Sequence, residues 1–417
     1  MLRSLFASIS GLRAHQTMMD VTANNIANVN TQGFKSGRAI FSDALAQTIR
    51  GGGIPTDGSG STNPMQVGLG TRVAAVNTNF TQGSLQLTGR TTDLAIQGDG
   101  FFVVERGDVQ LLTRDGAFNW DANGELVTSG GAKVMGWQVD PDTGELNVTD
   151  TPGVLSVPTG VLPPTPTSTM TLGGNIKAGI ADGDTVVTTV TVYNTLGTAF
   201  DLKATMTKTG QGTFDVSFTT PDPDDPTTEI ELDSTSIEFD EFGALVDPVD
   251  PASFDMTGIV LGDGTDQDIT VNFGSPLHAL TSFDQASTMD VPVRDGAAGA
   301  ELFQVNFGTD GSITAQYTNG DSRIVGMVAI GTVTNPEGLQ KMADNLYSTT
   351  LTSGDPTFGA AGTGEYGTVA PGSLEGSNVD LANEFTNLVL AQRGFQANTR
   401  VITTSDEMLA DLVNVKR

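Results

Sequence analysis

The sequence predicts an α+β chain, mostly β, with helices only at its two ends. Three observations carry that prediction. Heptad-spaced apolar stripes occur at both termini. Between them the apolar period drops to two, with frequent turn dipeptides. Midway the strand pattern stops at a Pro- and Thr-rich stretch and resumes in a different style, which marks an insertion. The two terminal helices would form a coiled-coil inner layer, with nested all-β domains outside.

The N-terminal stripe is Leu5, Ile9, Leu12, Met19 and Ile26, with Gln16 and Ala23 filling the gaps. Asn24, Asn25, Asn28, Asn30 and then Gly33 should stop this helix, because Asn and Gly favour turns and left-handed caps. The C-terminal stripe is Leu381, Phe385, Leu388, Phe395, Ile402, Leu409 and Val413, with Gln392, Thr399 and Asp406 at the intervening seam positions. Ser377 followed by Asp380 suggests a capping box at its start. At ~1.5 Å per residue, a helix from there to the end would be roughly 55–60 Å long and would need a partner. Two partners are open: the other end of the same chain in a helical hairpin, or copies of the chain. Polar seam residues weaken an isolated pair and favour copies.

Residues 34–72 read as a connector. Phe34, Ile40, Phe41, Leu45 and Ile49 could anchor one amphipathic helical turn there. Strand candidates then follow closely, at Ala95-Ile96, Phe101 to Val104, Val109 to Leu112, Ala117 to Trp120, Glu125 to Thr128 and Val134 to Val139. Turn signals such as Asp115-Gly116 and Asn123-Gly124 separate them. Val157 to Thr169 reads as an extended linker. Beyond it Phe214 to Phe218 and Ile269 to Phe273 alternate as half-buried strands do. The first β domain returns at Leu302 to Val305, Ile313 to Tyr317 and Ile324 to Ile330, and Gly-rich Ser353 to Gly372 leads to the last helix. The expected domains are 1–33 with 376–417 as the helical core, 34–72 as the connector, 73–149 with 289–375 as an inner β domain, and 150–288 as an inserted outer β domain.

The net charge of −29 disfavours nucleic acid and anionic lipid, which need clustered Lys and Arg. No stretch is long and apolar enough to span a bilayer, and the N-terminus does not read as a cleaved signal. There is no Cys, so disulfides, thiolate metal sites and Cys nucleophiles are out. His15 and His278 stand in unrelated contexts, and no nucleophile elbow or phosphate loop occurs. Asp121 to Glu125 and Asp140 to Glu145 are similar to calcium loops but lack the full ligand set, so both read as hairpin turns. The acidic stretch Asp222 to Glu229 reads as a solvated tip. No catalytic, cofactor or metal residues are expected.

Four segments resemble bacterial flagellar rod and hook proteins. The first is Asn24-Asn25-Ile26-Ala27-Asn28-Val29-Asn30-Thr31-Gln32-Gly33-Phe34-Lys35. The second is Ser377-Asn378-Val379-Asp380-Leu381, continued by Gln392-Arg393-Gly394-Phe395-Gln396-Ala397-Asn398. Asp93 to Ile96 with Gly100 to Val104, and Thr113 to Phe118, are similar to the family's β region. Leu172 to Asn175 and Thr191 to Gly197 resemble the outer domain of the hook branch, although Asn194 stands where Asp is common and Phe214 where Trp is frequent. The resemblance implies a structural subunit polymerising into a curved, torque-transmitting tube outside the cell, with the two apolar stripes as its assembly seam. Its implied partners are copies of itself, the distal rod protein, the hook cap protein, the hook-filament junction protein and the flagellar type III export apparatus, with neither nucleic acid nor membrane insertion. Ordering the terminal residues costs ~1 kcal/mol or more each, which seam burial offsets only when neighbours cover it. Both ends are therefore expected to be disordered before assembly and to fold on docking. The alternatives are a distal rod protein with an unusual insertion, or a secreted acidic β-rich hydrolase or adhesin.

Overall fold

Two helices frame the chain, α1 (Leu2–Ala27) and α2 (Leu381–Asn414). The structure, a computed structural model, describes residues 2–53, 60–140, 145–158, 160–221, 229–248, 253–260, 266–274 and 278–414. Contacts divide the chain into two compact units. Unit 1 holds residues 1–158, 305–315 and 323–417; unit 2 holds 159–304 and 316–322.

The helix ends differ from the sequence reading by a few residues. Asn24 and Asn25 lie inside α1. The chain leaves the helix through a turn in which Thr31 donates to the Asn28 amide oxygen at 3.1 Å, and it reverses at Gly33 with φ of 65°. Asp380, not Ser377, caps α2. Its Oδ1 accepts the N–H groups of Ala382 and Asn383 at 2.9 and 3.3 Å. Ser377 Oγ takes only the Val379 N–H.

Among its described residues the connector forms no helical turn. Gly37–Asp43 pairs antiparallel with Thr71–Thr78, and Ala46–Arg50 with Met65–Gly68. Ile40, Phe41, Leu45 and Ile49 all stay exposed, so no buried face selects a helix. Part of the stretch read as mobile, 54–59, lies outside the described residues.

Unit 1 is built on an antiparallel sheet in which Ser322–Thr332, Lys133–Gln138, Phe101–Arg106, Val109–Thr113, Leu346–Ser348 and Gln340–Lys341 are successive neighbours. Phe101, Val103, Leu112, Met135, Trp137, Ala329 and Tyr347 pack together in its core. On the alternate positions Phe102 meets Phe118 edge-on at 5.1 Å. The Gly-rich 353–372 stretch is not a loose connector: Thr357–Ala360 pairs with Ser322–Thr332, and Thr368–Pro371 with Leu94–Gln97.

Unit 2 is a sandwich of two five-stranded sheets around one apolar core. One sheet runs Thr185–Tyr193, Ala199–Lys208, Thr213–Pro221, Glu229–Phe239, Leu245–Asp247. The other contains Thr169–Asn175 between Asp266–Phe273 and Asp290–Arg294. Phe214, Val216 and Phe218 point inward, as their alternation requires. The insertion reaches further than 288, because Asp290–Arg294 and the bridges Leu162 to Ala300 and Thr165 to Ala297 belong to this unit. Those bridges also turn the expected linker into paired chain. Most of the acidic tip, 222–228, lies outside the described residues.

Asp295 closes the open end of that sheet by accepting from Ser168 N, Ser168 Oγ and Thr169 N. Desolvation pushes its carboxyl up, but these hydrogen bonds outweigh it and hold it below the usual 3.8. A depressed folded value means the stabilisation is present above the ordinary Asp value and is lost as pH falls through the folded one. Asp295→Asn should therefore lower thermal stability at neutral pH slightly and flatten the loss below about pH 4, as followed by melting temperature against pH.

Candidate assembly site: the helix seam and its joint

The helices run antiparallel. Asn25 Nδ2 reaches Glu384 Oε1 at 3.2 Å, and further along His15 faces Gly394 and Gly11 faces Asn398. A Cβ on Gly394 would lie 2.5 Å from the His15 ring, and one on Gly11 would lie 2.9 Å from Asn398 Oδ1. Absent side chains thus let the backbones approach. The residues most buried on the pair are small or polar: Ser8, Gly11, Ala14, Thr22 and Asn25 on α1, Ala391 and Ser405 on α2. Burial raises the Glu384 carboxyl above its ordinary value, against the opposing Asn25 hydrogen bond.

This seam is offset from the apolar one expected above. Leu388, Phe395, Ile402 and Leu409 flank it and are half-buried, as are Leu5, Ile9, Leu12, Met19 and Ile26. Leu381 and Phe385 are exposed, and so are Gln16, Ala23, Gln392, Thr399 and Asp406. Phe6, Val389, Leu390, Val401 and Met408 add to the uncovered apolar surface. The side chain of Val413 is outside what is described. A seam selected for close approach takes small residues, and the large apolar ones are displaced to its margins.

The joint between helices and β domain is built from motif residues. Asn25 grips Gly37 through both backbone groups, at 2.8 and 2.9 Å. Asn378 accepts from Ser36 N at 2.8 Å and donates to Asn79 O and Thr81 O. Gly33 N donates to Glu375 O at 2.8 Å, and a Cβ on Gly33 would sit 2.6 Å from Asp115 N. Phe34 is buried, with the Lys341 ammonium 3.9 Å from its ring centroid. Asn345 Nδ2 reaches Gln32 O at 2.9 Å. Asn24 is exposed; Val379 is half-buried; Arg393 is exposed and reaches only Gln396, at 3.3 Å.

At the centre of the joint is a buried carboxylate. Strand Ser373–Glu375, paired with Leu85–Leu87, carries Glu375 inward. Its Oε1 accepts from Lys35 Nζ at 2.6 Å and Gly83 N at 2.8 Å, and its Oε2 from Arg114 Nη1 at 3.2 Å. Lys35 also donates to Thr81 O, and Arg114 to Gly98 O. Desolvation lowers the Lys35 pKa, partly offset by Glu375. Glu375 escaped the sequence reading, since its partners lie hundreds of residues away. Its one local signal is a lone acid in a strand leading to Ser377.

The Asp121 carboxylate caps Asn123 N and Glu125 N in its own turn. The second loop similar to a calcium site lies partly outside the described residues, at 141–144. Among the described residues no three His, Asp or Glu groups converge on a metal position.

Glu375→Gln leaves two buried cations without a counter-charge and should cost ~3–5 kcal/mol, measured by denaturant unfolding. Gly33→Ala meets both a positive φ and a backbone clash, so a loss above ~1 kcal/mol is expected from the same measurement.

Family profiles match four stretches in chain order. They are "Flagella basal body rod protein" at residues 5–35, "Flagellar hook protein FlgE/F/G D1 domain" at 95–162, "Flagellar basal body protein FlaE D2 domain" at 165–297 and "Flagellar basal body rod FlgEFG protein C-terminal" at 370–415. The flagellar hook protein FlgE of Borreliella burgdorferi is 36% identical over 100% of both chains. That of Escherichia coli K12 is 32% identical over 98% of this chain and 99% of its own. The flagellar basal-body rod protein FlgG of Bacillus subtilis is 30% identical over 100% of both. In fold, the crystal structure of Helicobacter pylori flagellar hook protein FlgE2 aligns with a TM-score of 0.53 at 16% identity, over 68% of this chain and 98% of that one. The chain belongs to the flagellar hook protein family, FlgE.

Proposed function

We propose that this chain is the structural subunit of a flagellar hook, polymerising outside the cell body into a curved, flexible tube that carries torque from rod to filament. The observation that carries the assembly mechanism is the division of labour on the helix pair. The residues most buried in the intrachain seam are small or polar, and the large apolar residues along its margin are left half-buried or exposed. Burying one Leu, Ile or Phe of that margin contributes ~1.5–3 kcal/mol, and only neighbouring copies supply the cover. The small-residue seam gains little apolar burial to offset ~1 kcal/mol or more of ordering entropy per residue. The single chain has both helices formed and paired. Their weak seam supports a monomer in which the pair opens readily and is fixed on docking.

The assignment of partners follows from this role: the distal rod protein at one end, the hook-filament junction protein at the other, the hook cap protein during growth, and the type III export apparatus for delivery. The relatives include a rod protein of equal coverage, so polymer shape separates the two branches.

Electron microscopy of concentrated full-length protein should show curved tubes. Straight rods would move the chain to the rod branch, and absence of any polymer would remove the assembly role. Phe385→Ser touches an exposed side chain, so it should leave monomer stability unchanged while abolishing or strongly weakening polymerisation. Limited proteolysis of monomer should clip both termini first, and termini that resist protease would count against an opening pair.

A further inference from the structure

Two Asn-Gly turns, one in each unit, share a backbone pattern and differ in what holds the asparagine. In residues 121–125, Asp121 N donates to Glu125 O at 2.9 Å and Gly124 N to Asp121 O at 3.1 Å. In residues 317–321, Tyr317 N donates to Asp321 O at 2.9 Å and Gly320 N to Tyr317 O at 3.0 Å. Each glycine takes the left-handed conformation that closes such a turn, with φ of 76° at Gly124 and 90° at Gly320.

The first residue of each turn decides what the asparagine does. Asp121 brings a carboxylate, and its Oδ1 accepts the N–H groups of Asn123 and Glu125 at 2.9 and 2.8 Å. That leaves the Asn123 amide without a task. It is exposed, and among the described residues it makes no hydrogen bond. Tyr317 brings no such acceptor, so Asn319 caps the second turn itself. Its Oδ1 accepts Asp321 N at 3.0 Å, and its Nδ2 donates to Ala298 O at 3.2 Å and to Asp321 Oδ2 at 3.1 Å. One amide is free to rotate, and the other is held at both its oxygen and its nitrogen.

We propose that Asn123 is a site of spontaneous deamidation, and that its hydrogen bonds protect Asn319 from the same reaction. Asparagine is thermolabile, and a following glycine leaves the backbone nitrogen unhindered. The Gly124 nitrogen attacks the side-chain Cγ of Asn123. A C–N bond forms, the Cγ–Nδ2 bond breaks, and Nδ2 leaves as ammonia with the Gly124 amide proton. Water then opens the cyclic imide at either carbonyl, giving aspartate or isoaspartate without any oxidant or reductant. The asparagine must rotate to present Cγ, which the free amide of Asn123 allows and the bonds of Asn319 resist. Gly124 is buried, but the attacked carbon and the leaving group belong to exposed Asn123. Either product adds a carboxylate to a turn that already holds Asp121 and Glu125, where like charges disfavour one another. Isoaspartate also lengthens the main chain just before Gly124, whose carbonyl accepts Val157 N at 2.8 Å. The reaction does not depend on the assembly proposed above.

The test ages full-length wild type and Asn123→Gln in the folded state at mildly alkaline pH, with a parallel wild-type sample in denaturant. Peptide mapping by mass spectrometry follows the replacement of NH by O at each asparagine. In the folded chain Asn123 should convert about tenfold or more faster than Asn319. In denaturant the two rates should converge, because both residues precede glycine. Equal rates in the folded chain, or a faster Asn319, overturn the proposal. So does an Asn123 that converts in denaturant but stays intact in the folded chain. A gap that persists in denaturant places the difference in local sequence and overturns the protective role of the Asn319 bonds. Ageing should also lower the melting temperature of wild type while Asn123→Gln keeps its own, and equal losses in the two overturn the damage to the turn.

Discussion

The structure of unit 1 depends on one carboxylate shared between two cations. Glu375 is fully buried, and it draws Lys35 and Arg114 from distant parts of the chain into the same apolar surroundings. Taking three charges out of water is expensive, and such a group gives little net stability over an apolar core of the same volume. What it supplies is geometry. A hydrogen-bonded charge has few acceptable positions, whereas apolar side chains slide past one another at small cost. Lys35 follows the turn out of α1, Arg114 follows a core strand, and Glu375 precedes α2. Fixing all three fixes where both helices leave the β domain.

Asn25 and Asn378 extend this control to the helices themselves. Each is an amide using donor and acceptor on backbone of another segment, as a strand neighbour would. The helix pair beyond them is bound by shape more than by apolar burial. It is also nearly neutral. α1 carries two Arg and one Asp, and α2 two Arg against two Glu and two Asp, so the pair holds one net negative charge of the chain's −29. Helices that gather in many copies must have low charge, because like charges within a Debye length of about 10 Å are poorly screened. The acidity is carried by the β regions.

The order of elements was legible in the sequence because it rests on local periodicity. The period-two stretches at Phe101 to Val104, Phe214 to Phe218 and Ile269 to Phe273 are all strands, and both terminal heptads are helices. Errors arose where local pattern and long-range packing disagree. Ile40, Phe41 and Ile49 read with Leu45 as a helical face, but the first three lie on paired strands and Leu45 between them, all with their side chains exposed. On the helices, the largest apolar residues suggested a seam, yet close approach selects Gly11, Ala391 and Gly394, which carry no hydrophobic signal. The motif strings contained Asn25, Gly33, Lys35, Arg114 and Asn378 without revealing that these residues meet. Glu375 was invisible, since a lone acid in a short strand has no local pattern.

Torque passes from subunit to subunit only if each subunit is stiffer than the contacts between subunits are slippery. A joint held by apolar packing alone would yield by small rotations, because many nearly equal arrangements would be available to it. The charged and amide network at residues 25–37, 114 and 375–378 has no such set of neighbouring states. Any rotation of the helix pair against the β domain strands a buried charge or leaves a backbone group unpaired, at a cost of kilocalories rather than fractions. Compliance must then reside elsewhere, in surfaces where displacement breaks no buried polar bond. In the assembly proposed above, the apolar margin of the helices would meet that condition, since apolar contact is non-directional and can shift register by small steps without loss of contact area. On that proposal one chain would combine a rigid internal joint with adjustable external faces, which is the mechanical requirement for a shaft that bends while it turns.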